Sequence, residues 1–146
     1  MIKIICGMLG SGKTTFAKNN KKSKDILLDW DLIREAFQTD DFVYIKAVQD
    51  YLLQFYNEKG YDVWYITTYL GSNEKEMLKN IKDVEYLWIN TTRRQCLENI
   101  KKRNRGEETK HLENIDNVNK KIQERYTNES EIKYKIINVF ESNERW

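Results

Sequence analysis

The chain has 146 residues, enough for one domain with a substantial core and too few for two domains of ordinary size. Its 25 lysines and arginines against 23 aspartates and glutamates leave a formal net charge of +2, so bulk charge demands no nucleic-acid partner, and no stretch approaches the roughly 20 apolar residues of a membrane span. The two cysteines, Cys6 and Cys96, lack the spacing of a metal site and stand among apolar neighbours, so buried thiols in a reducing, cytoplasmic setting are expected.

The first element is the apolar run Ile2–Cys6, which reads as a buried strand and not as a signal peptide. It leads straight into Gly7-Met8-Leu9-Gly10-Ser11-Gly12-Lys13-Thr14, a match to G-x-x-x-x-G-K-[ST], the phosphate-binding loop of P-loop NTPases. A helix over Lys13–Asn20 follows, and this strand–loop–helix context separates a phosphate loop from a chance match. Glycines let the backbone curl into a nest of N–H groups, and the helix N-terminus adds positive charge at the same place. Lys13 is expected on the β- and γ-phosphates of ATP and the Thr14 hydroxyl on Mg²⁺.

Further strands are predicted at Ile26–Asp29, Val63–Thr67, 86–90 and 134–139, and further helices at 31–37, Phe42–Glu58, 73–81 and 92–103. Leu112, Ile115, Val118 and Ile122 mark a sixth helix. Within Phe42–Glu58, Val43, Ala47, Tyr51, Leu52 and Phe55 recur at helical spacing and are expected to form its core stripe; Gly60 ends it. Asn73 is the expected N-cap of the fourth helix. Alternation of strand and helix predicts an α/β, three-layer sandwich of the P-loop NTPase kind, with a mainly parallel sheet of about five strands. No repeat or linker divides the chain, so residues 1–146 read as a single domain.

The second strand hands over to Leu28-Asp29-Trp30-Asp31-Leu32-Ile33-Arg34-Glu35. Asp31 either caps the helix that starts there or accepts the proton of a substrate hydroxyl. Arg34, one turn later, is either a solvated helix position or a bidentate clamp for an acceptor phosphate. Their pairing downstream of a phosphate loop favours the functional reading of both. Asp29 either reaches the Mg²⁺ shell or merely ends the strand, and Trp30 either packs or stacks on an acceptor base. The lysines Lys18, Lys21, Lys22 and Lys24 form a weak basic cluster, His111 reads as a surface residue, and Tyr51, Phe55 and Tyr56 read as packing. No N-K-x-D run for guanine is present, so ATP is the expected nucleotide.

The phosphate loop followed by Asp29-x-Asp31-x-x-Arg34 resembles the small P-loop kinases that phosphorylate hydroxyl groups. It is most similar to the kinase domain of phage-type polynucleotide 5′-hydroxyl kinases, with zeta-toxin-like and chloramphenicol-phosphotransferase-like kinases as relatives. The resemblance spans residues 1 to about 105, and more loosely reaches 126. It implies Mg²⁺ and ATP on Gly7, Gly10, Ser11, Gly12, Lys13, Thr14 and Thr15, with Thr14 and Asp29 as metal ligands. Asp31 is then the general base, and Arg34 holds the acceptor-side phosphate of a nucleic-acid 5′ end or a nucleotide. A lid near 103–111 brings Arg103 or Arg105 over the triphosphate, with Gly106 as a hinge. One departure stands out. The related kinases often carry an acid after the third strand, where this chain has Thr67 and Thr68; a hydroxyl there can still hold a Mg²⁺-bound water. The departure leaves room for a nucleotide or small-molecule kinase, or for a nucleotide-binding switch or accessory ATPase.

Overall fold

The computed structural model describes residues 1–103 and 111–139. In chain order the elements are β1 (Ile2–Cys6), α1 (Lys13–Asn20), β2 (Ile26–Asp29), α2 (Trp30–Phe37), α3 (Phe42–Glu58), β3 (Val63–Thr67), α4 (Ser72–Leu78), β4 (Val84–Ile89), α5 (Arg93–Arg103), α6 (Leu112–Asn128) and β5 (Lys135–Ile137). The five strands make one sheet, all parallel, in the order β2-β3-β1-β4-β5. This is the α/β P-loop NTPase architecture that the alternation of elements predicts. Strands buried on both faces need mostly apolar side chains, and β1 and β3 are apolar apart from Lys3 and Thr67.

Alternate strand residues feed two cores. On one face Ile5, Trp64, Ile66, Leu87 and Ile89 pack against Phe16 and Ala17 of α1. On the other, Ile4, Tyr65 and Trp88 meet Leu53 of α3, Leu78 of α4, Cys96 of α5 and Ile122 of α6. Trp88 stacks on Tyr126 with centroids 3.9 Å apart. The sheet order places β1 beside β4, and the crossover leaving β1 runs toward β2 while the one leaving β4 runs toward β5, so the two diverge at the C-terminal ends of these strands. Ligands of open α/β sheets bind at such a switch point, and the phosphate loop lies there.

Several element details differ from expectation. The stripe of α3 that faces the core is Ile45, Gln49 and Leu53, whereas Val43 and Tyr51 are 76% and 58% exposed. Ala47 and Phe55 are exposed too, and Leu52 and Tyr56 are half-buried. Two stripes compete on this helix. The one carrying Gln49 wins because its amide donates to the carbonyls of Leu28 at 3.0 Å and Ile66 at 2.9 Å, at the ends of β2 and β3. On α6 the buried pair is Asn119 and Ile122, with Val118 exposed. The helix α4 starts after Gly71, whose N–H donates to the Glu74 carboxylate at 3.0 Å, so Gly71 and not Asn73 is its N-cap. The strand β4 begins two residues early, at Val84, and β5 is shorter than predicted. The polar stretch 104–110, with Arg105 and Gly106, and the tail from 140 onward lie outside the described residues.

Candidate active site

The loop after β1 turns sharply at Gly10 (φ 80°) and Gly12 (φ 101°), left-handed conformations that glycine adopts without a Cβ penalty. A Cβ on Gly10 would also stand 2.6 Å from the Cys96 carbonyl oxygen. The loop is tied from behind by three side chains. Asn119 accepts from the Leu9 N–H at 2.8 Å and donates to the Leu9 carbonyl at 3.0 Å. Asn99 donates to the Gly10 carbonyl at 2.9 Å, and the Thr91 hydroxyl to the Ser11 carbonyl at 2.9 Å. Across a trans peptide the N–H points opposite the carbonyl, so the tie on Ser11 turns the Gly12 N–H away from Thr91. The Ser11 hydroxyl is buried against Gly7 with no hydrogen-bond partner among the described residues. Lys13 curls across the loop, donating to the carbonyls of Gly7 at 2.9 Å and Met8 at 2.7 Å. Burial lowers its pKa to about 8, and the charge of Arg103 acts in the same direction. Gly7 and Gly12 complete the loop, with Thr15 exposed beyond them.

Thr14 donates its hydroxyl proton to Asp29 Oδ2 at 2.5 Å, and Asp29 Oδ1 accepts the Asp31 N–H at 2.9 Å. Asp29 is therefore the N-cap of α2, and Asp31 is relieved of that role. Mg²⁺ takes hard oxygen ligands and completes its shell with waters and phosphate oxygens. Thr14 and Asp29 fit that requirement. Among the described residues no cluster of three or more His, Cys, Asp or Glu forms a self-sufficient metal site.

Asp31 sits in the first turn of α2 with its side chain 52% exposed, 3.7 Å from Arg34 Nε. Arg34 also approaches Asp40 at 3.5 Å, and its guanidinium lies 5.9 Å from the Trp30 ring centroid. Trp30 is half-buried against Phe42, with centroids 6.0 Å apart. One helix start thus brings Thr14, Asp29, Asp31 and Arg34 into sequence beside the loop.

The end of β3 holds a polar cluster that the sequence reading missed. Lys46 of α3 donates to the Thr67 hydroxyl at 3.1 Å, and Thr67 donates to the Tyr69 carbonyl at 3.0 Å. With its hydroxyl so engaged and a cation beside it, Thr67 is a poor holder of a metal-bound water, contrary to the expectation for this position. Tyr65 donates to Asp50 at 2.5 Å. Burial pushes the Asp50 carboxyl up to about 7, and its hydrogen bond with Glu74 adds to the rise. The available signal was the polar run Lys46, Gln49 and Asp50 at helical spacing within an otherwise apolar helix.

Along α5, Cys96 and Ile100 face inward, Arg93 pairs with Asp116 at 3.6 Å, and Lys101 pairs with Glu98 at 3.6 Å. Arg103 ends the helix on the exposed side, and His111 is exposed at the start of α6. Both cysteines are buried thiols, with Cys6 raised by burial to about 12 and Cys96 to about 11, so neither is a nucleophile. Lys18, Lys21 and Lys22 line a shallow cavity of about 540 Å³ with Ile26. That cavity lies at the start of β2 and the end of α1, the sheet edge opposite Thr14, and so is remote from Asp31. No described helix is long and apolar enough to cross a membrane.

No family model and no curated protein matches the chain. Among solved structures, it is similar to deoxyadenosine kinase from M. mycoides with bound dATP, at 17% identity over 94% of this chain and 91% of that one, with a TM-score of 0.61. The same enzyme with the products dCMP and a flexible dCDP matches at 12% identity over 94% and 90%, with a TM-score of 0.54. Likeness at these identities shows a shared fold. The narrower resemblance to polynucleotide kinases rests on the sequence motifs alone.

Proposed function

We propose that this chain is an ATP-dependent phosphotransferase that moves the γ-phosphoryl group to a hydroxyl acceptor, a polynucleotide 5′-hydroxyl in the first reading. The observation that carries it is the continuity of Thr14, Asp29, Asp31 and Arg34, which joins the phosphate loop to a carboxylate and a guanidinium on one helix start. A nucleotide switch needs no such acceptor machinery.

In this reading the loop N–H groups hold the triphosphate. Lys13 leaves the Gly7 and Met8 carbonyls for the β- and γ-phosphates. Thr14 and Asp29 would hold Mg²⁺, which would supply charge neutralisation for the phosphates. Asp31 accepts the acceptor proton, Arg34 exchanges its loose contacts for an acceptor phosphate, and Trp30 stacks on the acceptor base. Arg103 or Arg105 covers the transferring group. The exposure of Asp31 and Arg34 suits an acceptor presented from a strand end. The kinase likeness, whose named ligands are dATP, dCMP and dCDP, favours a second reading in which a free nucleoside or nucleotide is the acceptor.

The test is transfer from γ-labelled ATP to 5′-hydroxyl DNA and RNA oligonucleotides, nucleosides and nucleoside monophosphates. Label in the oligonucleotides supports the first reading, and label in the small acceptors alone supports the second. ATP binding with no labelled acceptor contradicts both.

A further inference from the structure

We propose that Lys46 is a phosphate-binding residue, its ammonium taking a phosphoryl oxygen on the acceptor side of the loop. This rests on the phosphotransfer reading above and adds a cation that the resemblance does not supply.

Position comes first. Lys46 Nζ lies 3.1 Å from Thr67 Oγ1 and 3.5 Å from Gln49 Oε1. Thr67 follows Ile66, the register partner of Asp29, and itself pairs with Cys6, which precedes Gly7. The ammonium therefore stands at the sheet edge between the Asp29–Thr14 pair and the start of the phosphate loop.

Its partners come second. Both hydrogen-bonded oxygens are neutral, and among the described residues no carboxylate lies within 4.0 Å of the ammonium. The nearby acids are turned elsewhere: Asp50 to Tyr65 and Glu74, and Glu74 to the Gly71 N–H. A lysine has three N–H donors, so one donor remains for an anion, while the charge lies 5.1 Å from the Tyr65 ring centroid and is felt by Glu74 and Asp50 only at a distance. A half-buried ammonium lacking a directly paired anion is costly, and burial lowers its pKa accordingly.

Charge comes third. An ammonium at this end of β3, held on the Thr67 hydroxyl, repels a metal ion and attracts phosphate. The phosphoryl oxygen has two sources, the γ-phosphoryl group of ATP and a phosphate of the acceptor.

The experiment needs no variant at first. The wild-type chain is treated with limiting acetic anhydride, and acetylation of Lys46 is read by mass spectrometry. Four conditions are compared: no ligand, Mg·ATP, a nucleoside, and its 3′-monophosphate. Protection by Mg·ATP identifies the γ-phosphoryl source, and protection by the monophosphate but not the nucleoside identifies the acceptor source. Equal acetylation in all four overturns the proposal. Kinetics of Lys46→Gln, with Lys46→Arg as partial rescue, then separate function from structure. A loss of about 100-fold in kcat with both acceptors is expected for the first source, and a KM rise confined to the monophosphate for the second. Unchanged kcat and KM with both acceptors overturns the proposal. If wild type labels no acceptor while Mg·ATP still protects Lys46, the phosphotransfer reading fails and the phosphate site stands.

Discussion

Replacing Asn119 with leucine tests how the phosphate loop is held. The residue is fully buried, and its amide pairs with both polar backbone groups of Leu9 at 2.8 and 3.0 Å. Leucine shares its branched skeleton, though it is bulkier, and can neither accept nor donate, so the Leu9 N–H and carbonyl lose their partners. A buried backbone group left unpaired costs about 1–3 kcal/mol. Leu9 is half-buried and water recovers part of the loss, so about 2–4 kcal/mol is expected for the two groups. A chain of this size loses about 2–4 °C per kcal/mol, which puts the fall in Tm at about 4–16 °C. ATP affinity drops as well, about tenfold for each 1.4 kcal/mol of loop ordering that the nucleotide must then provide. Thermal melts and calorimetric titration with ATP read the two effects. Asn119→Ala, which leaves room for a water to bridge the Leu9 groups, loses less. An Asn119→Leu protein that melts within about 1 °C of wild type and binds ATP equally well would refute the clamp.

Gly10→Ala is expected to cost more stability than Gly60→Ala. Both glycines have positive φ, of 80° and 85°, but only at Gly10 does a Cβ meet atoms within 4 Å; equal melting shifts in the two variants would contradict the close packing of loop on α5. Because burial holds Lys13 near a pKa of about 8 and phosphate favours its charged form, ATP affinity weakens as pH rises through 8. Binding at that pH takes up protons, so its enthalpy varies with the ionisation heat of the buffer; an enthalpy independent of buffer would count against this. Asp50, raised by burial to about 7, keeps a proton in the folded chain that the unfolded chain has released above about pH 4. Its contribution is full below the unfolded pKa and is lost as pH rises through about 7. Urea melts across that window should show stability falling with pH, more steeply in wild type than in Asp50→Asn, and parallel slopes would exclude Asp50 as the cause.

What was legible in the residues was mostly local. The phosphate loop is contiguous, its glycines answer to backbone geometry, and the flanking strand and helix are strongly patterned, so β1, α1 and the parallel order of elements followed directly. Asp31 and Arg34 were legible because three residues on a helix share a face. The misses have a common physical origin: polar side chains buried to satisfy backbone groups of distant elements. Gln49 draws its side of α3 inward to bond the ends of β2 and β3, and a stripe chosen by hydrophobicity alone lands on the exposed face. Asn119 and Asn99 are polar residues on amphipathic helices until the loop, respectively 110 and 89 residues earlier in the chain, supplies their partners. Thr67 had the right place at the end of β3, but its neighbour Lys46 comes from another element. The assignment of helix capping to Asp29 similarly depends on which carboxylate the strand end turns toward the α2 N-terminus.

The most direct measurement is γ-phosphoryl transfer from labelled Mg·ATP by wild type and Asp31→Asn, with ATP affinity measured on both. The account predicts a labelled hydroxyl acceptor with wild type. For Asp31→Asn it predicts intact ATP binding and a rate lower by about 100-fold or more, the share that a positioned general base contributes. Equal transfer by the two proteins, or ATP binding with no transfer to any acceptor, would contradict it.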